Sequence, residues 1–68
     1  MTRTAFRSRV LPVVEALSPK MGEVRVGCTR DIRIWRHNTL WWTQQDGGGC
    51  QYSRTASAAT DKAWRLTR

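Results

Sequence analysis

A chain of 68 residues with Leu, Ile, Val and Phe at only twelve positions cannot build a large core, since so short a domain hides only about 60% of the surface its unfolded form exposes. Ten Arg and two Lys against three Asp and two Glu leave a formal charge of +7, which points to polyanions or acidic protein surfaces as partners. The length excludes an enzyme fold with two walls around a cleft, and four tryptophans, Trp35, Trp41, Trp42 and Trp64, each able to bury on the order of 150–250 Å², predict a single small Trp-anchored domain over residues 1–68.

Phe6, Val10, Val13, Val14 and Leu17 recur at helical spacing and predict an amphipathic helix from Ala5 to Leu17, with Arg3, Arg7 and Glu15 outward. Pro12 either kinks it near Ser8 or begins a shorter helix ending at Leu17. Ser18-Pro19 ends the helix in both cases, and Lys20-Met21-Gly22 turns the chain.

From Glu23 the period falls to two. Val24, Val26 and Cys28 alternate with Arg25 and Gly27; Ile32 and Ile34 alternate with Arg33 and Trp35; Thr29-Arg30-Asp31 connects the two runs. A turn at Arg36-His37-Asn38-Thr39 leads to a third strand, Leu40 to Gln45, rich in β-favouring residues. Asp46-Gly47-Gly48-Gly49 is the strongest turn signal, and Cys50 to Thr55 returns as a fourth strand. Ala56 to Leu66 predicts a short C-terminal helix, with Ser57 able to cap, Asp61 near its first turn, and Ala59, Ala63 and Leu66 on one face. The expected fold class is α+β: a small antiparallel sheet, a three- to four-strand meander, flanked by an N-terminal and a short C-terminal helix.

Alternation along the strands assigns Val24, Val26, Cys28, Ile32, Ile34, Leu40, Trp42, Cys50 and Tyr52 to one apolar face. The opposite face then carries Arg25, Arg33, Trp35, Trp41, Thr43, Gln51 and Ser53, with no acid among them. Arginine neutralises phosphate while indole stacks on exposed bases, and sheets also read base edges in grooves. The expected binding residues are therefore Arg25, Arg33, Trp35, Trp41, Thr43, Gln51 and Arg54, with Arg3, Arg7 and Arg9 adding phosphate contacts. A purely structural role is the competing reading, with Trp35 and Trp41 as a cross-strand aromatic pair covered by Arg33.

Strands running directly into a capped helix, with Tyr52, Ser57 and Ala63-Trp64 in sequence, are similar in layout to the small sheet-plus-helix DNA-binding domains of plant ethylene-response factors and phage integrase arms. The likeness covers roughly the last 40 residues and is one of architecture; the glycine and tryptophan signature of the plant family is absent.

Catalytic chemistry has no foothold. His37 is the one imidazole and sits in a predicted turn, the five acids are scattered singly, and a nucleophile–base pair, paired carboxylates or a metal set is missing. Two Cys and one His are too few soft ligands for a structural zinc, and Asp46 to Gly49 lacks the Lys-Ser/Thr of a phosphate loop. An enzymatic activity and a cofactor are not expected. No apolar leader core and no run approaching ~20 apolar residues occurs, so a cytoplasmic protein without membrane contact is expected. Cys28 and Cys50 then serve as small hydrophobic residues in or near the core, with a disulfide between them left open. The function expected is nucleic-acid binding through the Arg/Trp-rich sheet face. The alternative is an interaction protein of the mobile-element type, an inhibitor or adaptor docking that face on an acidic or nucleic-acid-handling protein complex.

Overall fold

The computed structural model describes residues 2–17, 22–27 and 31–67. Its elements are α1 (Arg3–Glu15), β1 (Glu23–Val26), β2 (Ile32–His37), β3 (Leu40–Gln45), β4 (Cys50–Ser53) and α2 (Ala56–Leu66). The strands form one antiparallel sheet in the order β1-β2-β3-β4, and no described helix is long and apolar enough to cross a membrane. The α+β meander between two helices is thus the architecture observed.

Helix α1 starts two residues earlier than its apolar period suggests. Thr2 is extended, and its hydroxyl oxygen accepts from the Ala5 amide at 3.1 Å, satisfying a donor the first turn leaves free. Pro12 lies inside the helix, so the chain does not restart there. It deprives the Ser8 carbonyl of its intrahelical donor, but the final turn still closes, with the Ala16 amide donating to the Pro12 carbonyl at 3.2 Å. Phe6, Val14 and Leu17 are buried, whereas Val13 is half-exposed and leaves the face expected for it.

Strand β1 ends at Val26, and Gly27 follows with φ +113°. Cys28 and the Thr29-Arg30 part of the expected connection lie outside the described residues, as does the expected Ser18-Pro19 to Met21 turn. Strand β2 runs on to His37, two residues past its expected end. Only Asn38 and Thr39 therefore join β2 to β3, and Asn38 takes the left-handed φ of +58° that so tight a loop requires. The glycine-rich turn behaves as its composition dictates: Gly47 adopts φ +76°, and the Asp46 amide donates to the Asp31 carbonyl at 2.8 Å.

Strand β4 stops at Ser53 because Thr55, not Ser57, caps α2, its hydroxyl oxygen accepting from the Ala58 amide at 3.1 Å. Small residues Ala56, Ala59 and Ala63 let α2 approach β2, β3 and β4 closely, and the buried Thr60 satisfies its hydroxyl by donating to the Ala56 carbonyl at 2.8 Å. Helix α1 packs beside α2 through Phe6 against Trp64, ring centroids 5.3 Å apart. The core is the layer of Phe6, Val14, Leu17, Ile32, Ile34, Ala56, Ala59 and Ala63, with Val24, Val26 and Trp41 at its margin. Both helices cover the same side of the sheet.

Candidate nucleic-acid interface

Residues directly opposite one another in an antiparallel sheet point to the same face, so the pairing fixes which side chains are left open. Glu23, Trp35, Trp42 and Tyr52 stand opposite one another across the four strands. A second row beside it holds Arg25, Arg33, Gln44 and Cys50, and His37 opposite Leu40 makes a third. These three rows form the face away from the helices. The covered face carries Ile32, Ile34, Thr43 and Ser53, all buried, together with Val24, Val26, Arg36, Trp41 and, toward the β4 edge, the exposed Gln51.

The structure brings together Arg25, Arg33 and Trp35 of the expected site and separates Trp41, Thr43 and Gln51 from them. The cause is the two-residue turn. With His37 opposite Leu40, odd-numbered residues of β2 share a face with even-numbered residues of β3, and a one-residue change of parity flips a whole strand. Leu40, Trp42, Cys50 and Tyr52 move from the expected core to the open face, and Trp41 and Thr43 become interior. Cys50 is an exposed free thiol rather than a core residue. Trp42 and Tyr52 are the open-face aromatic residues that alternation alone assigned to the core; counting parity through Asn38-Thr39 is the signal that locates them.

Trp41 acts as a structural anchor. Its indole Nε1 donates to the Val14 carbonyl at 3.3 Å, tying β3 to the end of α1, and the Arg36 guanidinium lies 4.6 Å from its ring centroid. The cation–π contact thus involves Arg36 and Trp41, while Trp35 stands opposite Trp42. Arg36 Nε, Trp42 Nε1, Thr43 Oγ1 and Ser53 Oγ are enclosed without a hydrogen-bond partner among the described residues.

On the open face Trp42 and Tyr52 have ring centroids 5.8 Å apart at an interplanar angle of 54°, and Tyr52 is 51% exposed. Trp35 and Trp42 are half-buried, Arg33 also, and Arg25 and His37 exposed. Arg33 Nη2 donates to Gln44 Oε1 at 2.7 Å, and Gln44 Nε2 donates in turn to the Gly48 carbonyl at 3.1 Å, which holds the guanidinium against the sheet. Arg25 meets Glu23 at 3.4 Å and Asp31 at 3.3 Å. The face is therefore not free of acid, since Glu23 stands at its β1 end.

The arginines expected to add phosphate contacts divide into two groups. Arg3 and Arg7 join α1 to α2 through Asp61, at 3.1 and 2.7 Å, and Arg7 also donates to Ser57 Oγ at 2.8 Å. Asp61 is thus mid-helix and interhelical, not a first-turn residue. Its partial desolvation pushes the carboxyl up, but hydrogen bonds from Arg7 and Arg3, with their charges, together outweigh this and hold it below the ordinary carboxylate range. Arg9, Arg54 and Arg65 make no ion pair among the described residues. Arg54 stands at the β4 edge, where an open groove of about 560 Å³ is lined by Cys50, Gln51, Tyr52, Ser53, Arg54, Ala58 and Lys62. Lys62 donates to the Tyr52 carbonyl and lies 5.8 Å from the Tyr52 ring centroid, occupying part of the exposed strand edge.

Among the described residues no group of three His, Cys, Asp or Glu is placed to hold a metal ion. Comparison with known proteins finds no match in family models, curated proteins or solved structures.

Proposed function

We propose that this protein binds nucleic acid through the open face of its sheet. The observation that carries the reading is the row Trp35, Trp42 and Tyr52, three aromatic side chains from three adjacent strands, beside Arg25 and Arg33 on a chain of charge +7. Both helices lie on the other side, so no described element covers these rings. A polyanion complements the charge, and aromatic faces complement bases. Arg54 and Lys62 extend the positive potential around the β4 edge, and Arg9 and Arg65, without an ion pair among the described residues, add charge elsewhere.

A second reading is supported by one specific observation. Arg25 is already paired with Glu23 and Asp31, which lowers the charge available to phosphate, Arg33 has one donor engaged by Gln44, and Trp, Tyr and Arg are also the residues of protein interface hot spots. That reading is a small inhibitor or adaptor docking on an acidic protein surface.

Fluorescence anisotropy with labelled mixed-sequence DNA, in both single-stranded and duplex form, titrated from low to physiological salt, separates the two. Binding that persists at physiological salt and falls at least tenfold in the double variant Arg33→Gln, Trp35→Leu supports nucleic-acid binding. Binding that disappears at that salt in the unaltered protein, or that ignores the variant, removes this face as a nucleic-acid site.

A further inference from the structure

From the geometry of the open face we infer that its ligand is an unpaired nucleic-acid strand, held by stacking of bases on Trp35, Trp42 and Tyr52. This inference rests on the nucleic-acid reading above. The three side chains leave the backbone directly opposite one another on β2, β3 and β4, strands ~4.8 Å apart, and the Trp42 and Tyr52 rings lie 5.8 Å apart at 54°, so they make a tilted aromatic row crossing the sheet. Duplex bases offer only their edges, their faces being stacked on one another; a platform of rings has nothing to pair with until a base is unstacked.

The polar neighbours agree with this placement. The row of Arg33 and Gln44 lies two residues along the strands from the rings, ~6.8 Å away, on the scale separating a base from its own phosphate. Gln44 accepts from Arg33 at 2.7 Å in a part-buried contact; that holds the guanidinium to its cross-strand neighbour instead of leaving it free to reach base edges in a groove. Glu23 occupies the β1 end of the aromatic row and repels phosphate there. The strand's path therefore crosses β2 to β4 and leaves toward Arg54 and Lys62 at the β4 edge. Stacking on rings and neutralising phosphate do not involve the 2′ position of the sugar, so deoxyribose and ribose strands are both accepted.

The test is anisotropy of labelled dT12, rU12 and a 12-base-pair duplex at about 0.1 M salt, with indole emission followed in parallel. Variants are Tyr52→Ala, Trp35→Leu, and the aromatic controls Tyr52→Phe and Trp35→Phe, each checked for fold by circular dichroism. The expected result has three parts: both single strands bind at least tenfold tighter than the duplex; they quench indole emission; and Tyr52→Ala and Trp35→Leu each weaken them about fivefold or more while the Phe variants retain binding. Duplex bound as tightly as single strands, with the same dependence on Trp35, overturns the single-strand inference and leaves the nucleic-acid reading standing. Absence of binding by all three probes overturns both.

Discussion

At the scale of single residues, adjacent tryptophans in one strand have opposite fates. Trp41 faces the helices and holds Val14 through its indole nitrogen, whereas Trp42 faces away beside Tyr52. Trp41→Phe keeps an aromatic ring, smaller than the indole, but loses the hydrogen bond to Val14 and weakens the cation–π contact with Arg36. It is expected to lower stability by about 1 kcal/mol in urea titration and to leave nucleic-acid affinity unchanged within twofold. Asp61 is a second anchoring residue. A carboxyl held below its unfolded value contributes stability that is fully present above the unfolded pKa and is lost as pH falls through the folded one. Asp61→Asn is therefore expected to lower stability by about 1 kcal/mol at pH 7. The gap between variant and parent in urea midpoint should begin to narrow below about pH 4, where the unfolded chain's carboxyl takes up its proton, and close as pH falls further through the lower folded value; a gap that is constant with pH assigns the loss to shape instead of charge.

At the scale of elements, the turn between β2 and β3 has the widest consequence. Asn38 takes a left-handed φ that residues with a Cβ adopt at a cost of about 1–2 kcal/mol, glycine and asparagine less. Asn38→Ala is expected to lower the unfolding free energy by about 1 kcal/mol and Asn38→Gly to leave it within 0.5 kcal/mol, measured by thermal unfolding; equal loss in both variants assigns the effect to the Asn side chain. Helix α1 carries the opposite case. Pro12 is exposed and removes one donor from the helix ladder, so Pro12→Ala is expected to raise the melting temperature, by a margin corresponding to about 1 kcal/mol or more. A fall instead places value on the ring's packing or on restriction of the unfolded chain.

Across the whole molecule, charge and shape divide the work. Five acids cannot offset twelve cations, and part of the acidic set is used internally, Asp61 between the helices and Glu23 and Asp31 on Arg25. The excess gives long-range attraction to a polyanion that weakens with salt. If Arg33 neutralises one phosphate, Arg33→Gln reduces the slope of log affinity against log salt by about 0.7 for a single strand. Trp35→Leu, acting through stacking, lowers affinity at every salt concentration and leaves the slope in place. Parallel titrations of both variants distinguish these contributions.

The amino-acid sequence by itself determined the two helices, four strands and their order, because these follow from local information: the 3.6-residue period of Phe6, Val10, Val14 and Leu17, the two-residue period from Val24 to Ile34, and the glycine turn before Cys50. It also determined the charge and the placement of Arg25, Arg33 and Trp35 on one side, since β1 and β2 pair as their alternation implies. The tertiary structure decided which of Trp41 and Trp42 is core. In a strand where Leu40, Trp41, Trp42 and Thr43 are all able to face a core, alternation has two solutions, and only the register imposed by a two-residue turn selects one. Packing likewise decided the roles of Arg3 and Arg7, whose partner Asp61 lies more than fifty residues away in the chain. No periodicity encodes such a contact; it exists because α1 and α2 are pressed side by side on one face of the sheet, leaving the other face to Trp35, Trp42 and Tyr52.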